Sequence, residues 1–281
     1  MRPNTFETSP NSLSVGLLES MKRRIDLLLV ERGLAESRHK AQAMLLAGQI
    51  LVKEQKVEKP GQMVDADAEI RILGQLRYAS RAGAKLQAAL DHFHISVSGR
   101  TCADLGASTG GFTDCLLQNG ACRVYAFDVG KGQLAWKLRS DPRVLVRDEC
   151  NVRYLNPTDL PDDLTVVSMD LSFISVTKVL PSLKKSLVFE ADAAEEEIQA
   201  RTVDIIVLVK PQFEAGKGEV GKGGIVRDPV KRRRILESIE AFALRSGYKV
   251  RGSIPSPVSG MSGNQEFLLW LQLQAGPLSV P

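Results

Sequence analysis

Three aspartates stand at the ends of short apolar segments that predict β-strands. They are Asp104, Asp128 and Asp148. The carboxyl ends of parallel strands meet at one edge of an open α/β sheet, where ligands bind. An acid at the end of the second strand can accept hydrogen bonds from both ribose hydroxyls of an adenosine, and Asp148 could reach the adenine amino group. One such aspartate would be expected simply to cap a helix; three at successive strand ends favour an adenosine site.

A glycine-rich segment connects the first of these strands to a predicted helix. It reads Gly106-Ala-Ser-Thr-Gly110-Gly111 and leads into Phe112. Glycine permits a sharp turn and a close approach of backbone to ligand. The spacing is neither the GxGxxG of dinucleotide enzymes nor a nucleoside triphosphate loop with GK[ST]. The predicted cofactor-binding residues are Asp104, Gly106, Ser108, Gly110, Gly111, Phe112, Asp128 and Asp148.

Four further charged residues are candidates for catalysis. Asp170 and Lys210 follow the fourth and fifth apolar segments, on the predicted ligand side of the sheet, where packing does not explain a charge. Lys85 lies in the helix before the first strand, and Glu266 opens the last strand. Either of the latter two, taken alone, could be a solvated end of a helix or strand.

The elements that position these residues alternate from residue 80 onward. Strand-like segments separated by helical ones predict parallel βαβ units covered on both faces. We therefore expect a Rossmann-like α/β domain with a seven-stranded sheet over 80–275. The predicted strands are 101–104, 123–128, 144–147, 166–169, 205–209, 249–254 and 267–273.

A smaller, basic αβ module is predicted over 21–79. Ile25, Leu28 and Leu29 recur at helical spacing, and Ser37 can cap a second helix. Between Lys22 and Lys59 the chain has nine Lys/Arg against five Asp/Glu, which equals its whole net charge of +4. Such a patch suits a phosphate backbone, although a solvated surface is the alternative. The predicted RNA-binding residues are Arg23, Arg24, Arg38, Lys40 and Lys53.

Composition excludes several classes of protein. The four cysteines and three histidines show no metal-ligand spacing, so we expect no metal. No apolar run approaches a membrane span, and residues 1–20 lack the features of a secretory signal. These features predict a cytoplasmic protein without a membrane partner. Residues 1–20 and 276–281 are predicted to be tails, and a second basic run, Arg227 and 231–234, is either an RNA contact or a solvated helix face.

Taken together, these segments resemble the TlyA family, which joins a ribosomal-protein S-four-type RNA-binding domain to an FtsJ-type (RrmJ-like) ribose methyltransferase domain. The resemblance extends from about residue 21 to 272. The segments that carry it are Arg-Ile-Asp26-Leu-Leu-Leu-Val-Glu-Arg-Gly33, Ser37-Arg-His-Lys-Ala-Gln, Ser80-Arg-Ala-Gly-Ala-Lys85-Leu, Asp104-Leu-Gly-Ala-Ser-Thr-Gly-Gly-Phe-Thr-Asp114, Leu208-Val-Lys-Pro-Gln-Phe213 and Gly223-Gly-Ile-Val-Arg227.

The resemblance implies S-adenosylmethionine as cofactor and methylation of a ribose 2′-hydroxyl in ribosomal RNA, either naked or within a subunit. FtsJ-like enzymes use a Lys-Asp-Lys-Glu tetrad, which matches Lys85, Asp170, Lys210 and Glu266 here. In this arrangement Lys210 would activate the hydroxyl as a cation or a base, and Asp170 would orient Lys210 and the sulfonium end of the cofactor. Lys85 and Glu266 would fix the ribose and its neighbours.

Other chemistries and functions remain as alternatives. Amino-nitrogen methylation would want an Asn/Asp-Pro-Pro-aromatic loop where this chain has Asp170-Leu-Ser-Phe173, and pyrimidine carbon methylation would want a nearby cysteine. Some family members carry a haemolysin label, which suggests a membrane-active protein. A non-catalytic RNA-binding protein with the same fold is the third alternative; it predicts no binding of S-adenosylmethionine.

Overall fold

The computed structural model describes residues 21–73, 77–189, 201–216, 218–221, 223–260 and 263–277. The chain divides into two compact units, Met1–Gln75 and Leu76–Pro281. The predicted tail 1–20 lies outside the described residues, as do 278–281 of the second predicted tail.

The first unit is a small αβ module. Its buried core includes Ile25, Leu29 and Leu45, which come from the two predicted helices. Ser37 caps the second helix, as predicted, because its Oγ accepts a hydrogen bond of 3.2 Å from the Lys40 amide. The elements are β1 Lys22–Arg24, α1 Ile25–Glu31, α2 Arg38–Leu46, β2 Ile50–Val52, β3 Gln55–Lys56, β4 Met63–Asp65 and β5 Ile70–Ile72. Strand β1 pairs with β4, and β2 lies between β3 and β5.

The second unit is built on one large twisted sheet. Its helices are α3 Ala82–Phe93, α4 Gly111–Gln118, α5 Trp136–Arg139, α6 Leu180–Leu187, α7 Pro211–Glu214 and α8 Pro229–Arg245. Its strands are β6 Thr101–Leu105, β7 Arg123–Phe127, β8 Val144–Arg147, β9 Leu164–Met169, β10 Val188–Phe189, β11 Arg201–Val209, β12 Lys249–Pro255 and β13 Phe267–Pro277.

The strand order is β10-β13-β11-β9-β6-β7-β8, with β12 paired to β13. Strands β6, β7, β8, β9 and β11 are parallel, and β13 runs antiparallel to β11. All seven predicted strands are present, and the two-residue β10 is an addition. The order confirms the Rossmann-like methyltransferase sheet.

Two of the strands are each four residues longer than the apolar pattern indicated. Strand β11 begins at Arg201 and β13 continues to Pro277, where 205–209 and 267–273 were predicted. Half of the extra residues are polar, and they extend the pairing between the two strands: Gln274 lies opposite Thr202 and donates a 2.9 Å hydrogen bond to its hydroxyl. Gly276 and Pro277 therefore belong to the strand and not to a tail.

The sheet has an apolar layer on each face. Strand β6 is buried along its whole length, and β9 and β11 are buried along most of theirs. Polar chemistry is therefore concentrated at the strand ends. Within the described part of the chain, no helix has both the length and the apolar character needed to cross a membrane.

Candidate active site

The glycine-rich loop between β6 and α4 is packed tightly against the end of β9. The amides of Gly106 and Ala107 both donate to the carbonyl of Phe127 at 2.9 Å. Gly106 has a φ of +88°, and a Cβ on it would lie 2.6 Å from the Asp170 carbonyl oxygen. Only glycine satisfies both conditions. The loop and the Asp170 segment are thus held in direct contact.

The end of this loop is equally constrained. Gly110 has a φ of +96°, and a Cβ there would lie 2.2 Å from a methyl group of Leu138. A Cβ on Gly111 would lie 2.2 Å from the Ser80 hydroxyl. Ser108, in the middle of the loop, has an exposed side chain, and its backbone is left-handed with a φ of +49°. Ser108 and Thr109 are therefore the exposed part of the loop.

Two of the predicted acids are fixed beside this loop and remain partly exposed. Asp128 accepts hydrogen bonds of 2.8 Å from the backbone amides of Ser108 and Gly130 and one of 3.3 Å from the side-chain amide of Gln133. Asp148 accepts from Arg139 at 2.8 Å and from the Gly132 amide at 3.1 Å, contacts that lower the pKa of its carboxyl. A carboxylate has about four acceptor sites, so Asp128 can still accept a hydrogen bond from a ligand.

Asp104 and Phe112 occupy a different position from the other predicted cofactor residues. Asp104 is fully buried, and its two oxygens accept hydrogen bonds from the hydroxyls of Thr113 at 2.7 Å and Ser168 at 3.1 Å. Burial raises the pKa of this carboxyl to about 7. Phe112 is packed in the core. Both residues lie on the buried side of the loop. Through its hydrogen bonds with Thr113 and Ser168, Asp104 connects β6 to α4 and β9.

Lys210 and Asp170 form an ion pair at neighbouring strand ends. The Lys210 Nζ lies 2.7 Å from Asp170 Oδ1 and donates a 2.8 Å hydrogen bond to the Ser172 hydroxyl. Only 12% of the Lys210 side chain and 17% of the Asp170 side chain are exposed. The ammonium group is consequently held in one place.

Lys85 and Glu266 form a second, more deeply buried pair. Their Nζ and Oε2 atoms are 2.5 Å apart, and the side chains are 9% and 3% exposed. Val209 pairs with Phe267 in the β11–β13 ladder, so Lys210 and Glu266 come at the same end of it. The structure therefore arranges the four predicted catalytic residues as two ion pairs.

An aromatic pair beside Lys210 was not predicted. Phe173 is 91% exposed, with a φ of +64°, and its ring centroid lies 5.0 Å from that of Phe213. The Lys210 Nζ lies 5.7 Å from the Phe213 ring centroid. Exposed aromatic faces are surfaces on which nucleic acid bases stack. The sequence signal was an aromatic residue directly after Asp170-Leu-Ser, where no strand continues.

Glu214 was also missed, and it joins the two loops that carry Asp170 and Lys210. Its carboxylate accepts a 2.6 Å hydrogen bond from the Ser175 hydroxyl and one of 2.8 Å from the Val176 amide. Burial raises the pKa of this carboxyl. Since Glu214 ends the short helix that follows Lys210, it fixes that helix to the segment after Asp170.

The predicted RNA-binding residues of the first unit fall into three groups. Arg24 and Arg38 both bind the buried carboxylate of Asp26. Arg23 pairs with Glu31 at 3.5 Å, and Lys53 pairs with Asp65 at 2.6 Å. Lys40 is exposed in the first turn of α2.

The second basic run begins α8. Within it, Arg233 pairs with Glu237 at 2.8 Å, and Arg234 pairs with Glu219. Part of this run therefore has carboxylate partners on its own surface. Among the described residues of the chain, no group of three or more His, Cys, Asp or Glu side chains is arranged to hold a metal ion.

Fold and site together define a class: an α/β methyltransferase-type domain with a buried lysine–carboxylate site, joined to a small basic module. The family model described as "FtsJ-like methyltransferase" matches residues 78–273, and that of the "S4 domain" matches 23–70. The chain belongs to the FtsJ-like methyltransferase family and also carries an S4 domain.

The similarity to known relatives covers most of the chain. A proposed rRNA methyltransferase, YqxC, from Bacillus subtilis (strain 168) is 46% identical over 90% of this chain and 87% of its own length. The 16S/23S rRNA (cytidine-2′-O)-methyltransferase TlyA of Mycobacterium tuberculosis (strain ATCC 25618 / H37Rv) is 43% identical over 90% and 91%. A solved structure of a proposed hemolysin from Streptococcus thermophilus has a TM-score of 0.67 at 42% identity, covering 92% of this chain and 90% of that one.

Proposed function

We propose that this chain transfers the methyl group of S-adenosylmethionine to a ribose 2′-hydroxyl of ribosomal RNA. The observation that carries the proposal is the Lys210–Asp170 pair, held at the strand ends against the glycine-rich loop. None of the four cysteines follows β9 or β11, where a carbon-methylating nucleophile would be needed. Oxygen methylation fits the groups that are present.

The residues of the loop fit the proposed cofactor. S-adenosylmethionine supplies an electrophilic methyl group when it is bound. Gly106 and Gly110 let the loop pack directly against Asp170 and Leu138, where a Cβ would clash, and Ser108 lies on the exposed side of the loop. Asp128 would accept from the ribose hydroxyls and Asp148 from the adenine amino group. Asp104 and Phe112 would act indirectly, by fixing the loop.

Lys210 is the group proposed to act on the nucleophile. An ammonium has three N–H donors. Asp170 and Ser172 occupy two directions around Nζ, which leaves one for a ribose oxygen. As a cation, Lys210 would stabilise negative charge developing on that oxygen; as a base, it would take its proton. Holding the oxygen in line for displacement is itself a large contribution to rate.

The Lys85–Glu266 pair would shape the opposite wall of the ribose site. Both side chains are almost fully buried, so each neutralises the other and neither moves freely. A bound ribose would therefore contact a rigid ion pair, and neither side chain would be free to move toward it. We therefore assign Lys85 and Glu266 to positioning of the sugar and not to proton transfer.

Ribosomal RNA is the proposed substrate because of the first unit. It matches an RNA-binding family and carries exposed arginines, and relatives of the same length are named as rRNA methyltransferases. A cytoplasmic location is part of the proposal; it is supported by four cysteines that are all free thiols.

Substitution Lys210→Ala tests the assignment. Methyl transfer to ribosomal RNA should fall by about 10²- to 10⁴-fold, the usual contribution of a positioned acid–base group. Calorimetry should show cofactor binding unchanged. Lys185→Ala, on the exposed face of α6, is the matched control and should be fully active. Near-normal transfer by Lys210→Ala with cofactor binding intact would remove Lys210 from the mechanism.

A further inference from the structure

The first unit contains a buried carboxylate that no catalytic role explains. Asp26 has no exposed surface, yet it lies in the first turn of α1 among charged groups. Arg24 donates to it through Nε at 3.0 Å and Nη2 at 2.9 Å. Arg38 donates through Nε at 3.0 Å, and Gln42 through its amide at 3.2 Å. The Arg24 hydrogen bonds are the main reason that the pKa of Asp26 lies well below its usual range.

Asp26 brings together two arginines from different elements. Arg24 ends β1, and Arg38 opens α2. One oxygen, Oδ2, accepts from both guanidinium groups, so the two cations are held side by side. Without the carboxylate between them, two neighbouring cations would repel each other and turn away. Asp26 therefore determines where both guanidinium groups lie.

The two guanidinium groups remain open on their outer sides. The side chains of Arg24 and Arg38 are 41% and 55% exposed. Among the described residues, the only acceptor for either guanidinium group is Asp26, which Arg38 contacts through Nε and Arg24 through Nε and Nη2. The cluster of two cations and one anion carries a net positive charge.

We propose that Arg24 and Arg38 form a single preformed site for one phosphate of the RNA backbone, and that Asp26 is the residue that positions it. This inference rests on the proposed function, since it names how that substrate is held. Planar guanidinium groups match phosphate oxygens in bidentate geometry. Side chains already fixed in place lose less entropy on binding than free ones.

The other predicted RNA-binding residues lack this arrangement. Arg23 and Lys53 each pair with a carboxylate at the surface, Glu31 and Asp65. A surface carboxylate repels an approaching phosphate, whereas Asp26 is covered by the guanidinium groups it holds. We therefore expect Arg24 and Arg38 to contribute more to RNA affinity than Arg23 or Lys53.

The test measures the affinity of the full chain for end-labelled 16S and 23S ribosomal RNA at several potassium chloride concentrations. Arg24→Gln and Arg38→Gln should each weaken binding roughly tenfold. The double variant should bind only a little more weakly than either single variant. The slope of log affinity against log salt concentration should become shallower by about the amount expected for one phosphate contact. Arg71→Gln, on an exposed arginine paired with Glu54, is the control. Additive losses and a slope change of about two would show separate contacts and overturn the proposal.

Asp26→Asn provides the sharpest discrimination. This substitution removes a negative charge, so simple attraction between opposite charges predicts tighter RNA binding. The proposal predicts weaker binding by roughly tenfold, because the arginines lose the group that orients them. Unchanged or tighter binding by folded Asp26→Asn would refute the role of Asp26. If this variant does not fold, Arg38→Lys decides instead: it keeps the charge and should still bind weakly.

Methyl transfer to the same RNA separates this inference from the proposed function. Transfer by the wild-type chain, with unaltered RNA affinity in the arginine variants, would refute the phosphate site alone. Weakened RNA binding in those variants, without methyl transfer by the wild-type chain, would refute the proposed reaction alone.

Discussion

Replacement of Asp104 by asparagine should make the methyltransferase unit less sensitive to pH. Burial raises the pKa of this carboxyl to about 7, from 3.8 for an ordinary aspartate. The fold thus favours the neutral form. For an acid with a raised pKa, the stabilisation is fully present below about pH 4 and is lost as the pH rises through 7.

The size of the effect follows from the shift. A difference of about three pKa units corresponds to about 4 kcal/mol between the two protonation states. Of this, roughly 2 kcal/mol is lost between pH 5 and pH 7, because only the unfolded form ionises fully in that interval. Asparagine cannot ionise and has nearly the same shape. The hydroxyls of Thr113 and Ser168 can each donate or accept, so both hydrogen bonds can be kept.

Urea unfolding at pH 5 and pH 7 provides the assay. Both tryptophans, Trp136 and Trp270, lie in the second unit, so their fluorescence reports that unit. The drop in unfolding free energy between the two pH values should be about 2 kcal/mol smaller in Asp104→Asn than in wild type. Asp141→Asn is the control: Arg143 lowers the pKa of Asp141, so it titrates below this range. An equal drop in wild type and Asp104→Asn would refute the reasoning.

Two further predictions concern the walls of the active site. Glu266→Ala leaves Lys85 buried without its partner and should lower the free energy of unfolding, measured in urea, by about 3–5 kcal/mol. The double variant Lys85→Met, Glu266→Leu should recover most of that stability but should not transfer methyl groups. A Glu266→Ala variant as stable as wild type would contradict this prediction. Phe173→Ala removes an exposed stacking face and should lower kcat/KM for RNA roughly ten- to hundredfold, with cofactor affinity unchanged and activity largely kept in Phe173→Trp. Wild-type kinetics in Phe173→Ala would exclude a stacking role.

The sheet was predictable because its parallel strands are buried on both faces and so read as apolar runs. The ends of β11 and β13 were not, since polar residues such as Thr202 and Gln274 extend the pairing through backbone hydrogen bonds and cross-strand contacts. Hydropathy does not record such contacts. The apolar pattern did not predict the order of the strands in the sheet, which the structure gives.

The candidate site was predictable as a set of residues but not as a set of orientations. Asp104 and Asp128 looked alike in sequence, at the ends of the first two strands. Asp104 lies within β6, which continues to Leu105, and its side chain is buried; Asp128 follows the end of β7 and remains partly exposed. Both strands have five residues, so the difference is one of position: Asp104 lies within its strand, and Asp128 is the first residue beyond its own strand.

Contacts between distant parts of the chain were beyond the sequence pattern. Asp26 looked like an ordinary acid in the first turn of a helix, and only folding brings Arg38 to it. Likewise, nothing in the residue type of Glu214 shows that it binds the Ser175 segment. Such partners are set by tertiary structure.

The central claim is that the chain methylates ribose oxygen in ribosomal RNA. The most direct measurement incubates the protein with methyl-labelled S-adenosylmethionine and either ribosomal subunits or naked ribosomal RNA, then digests the RNA and identifies the labelled nucleosides. The account predicts label in a 2′-O-methylnucleoside, resistant to alkali at the following phosphodiester. Label in a base, or no label from a chain that binds the cofactor, would contradict it.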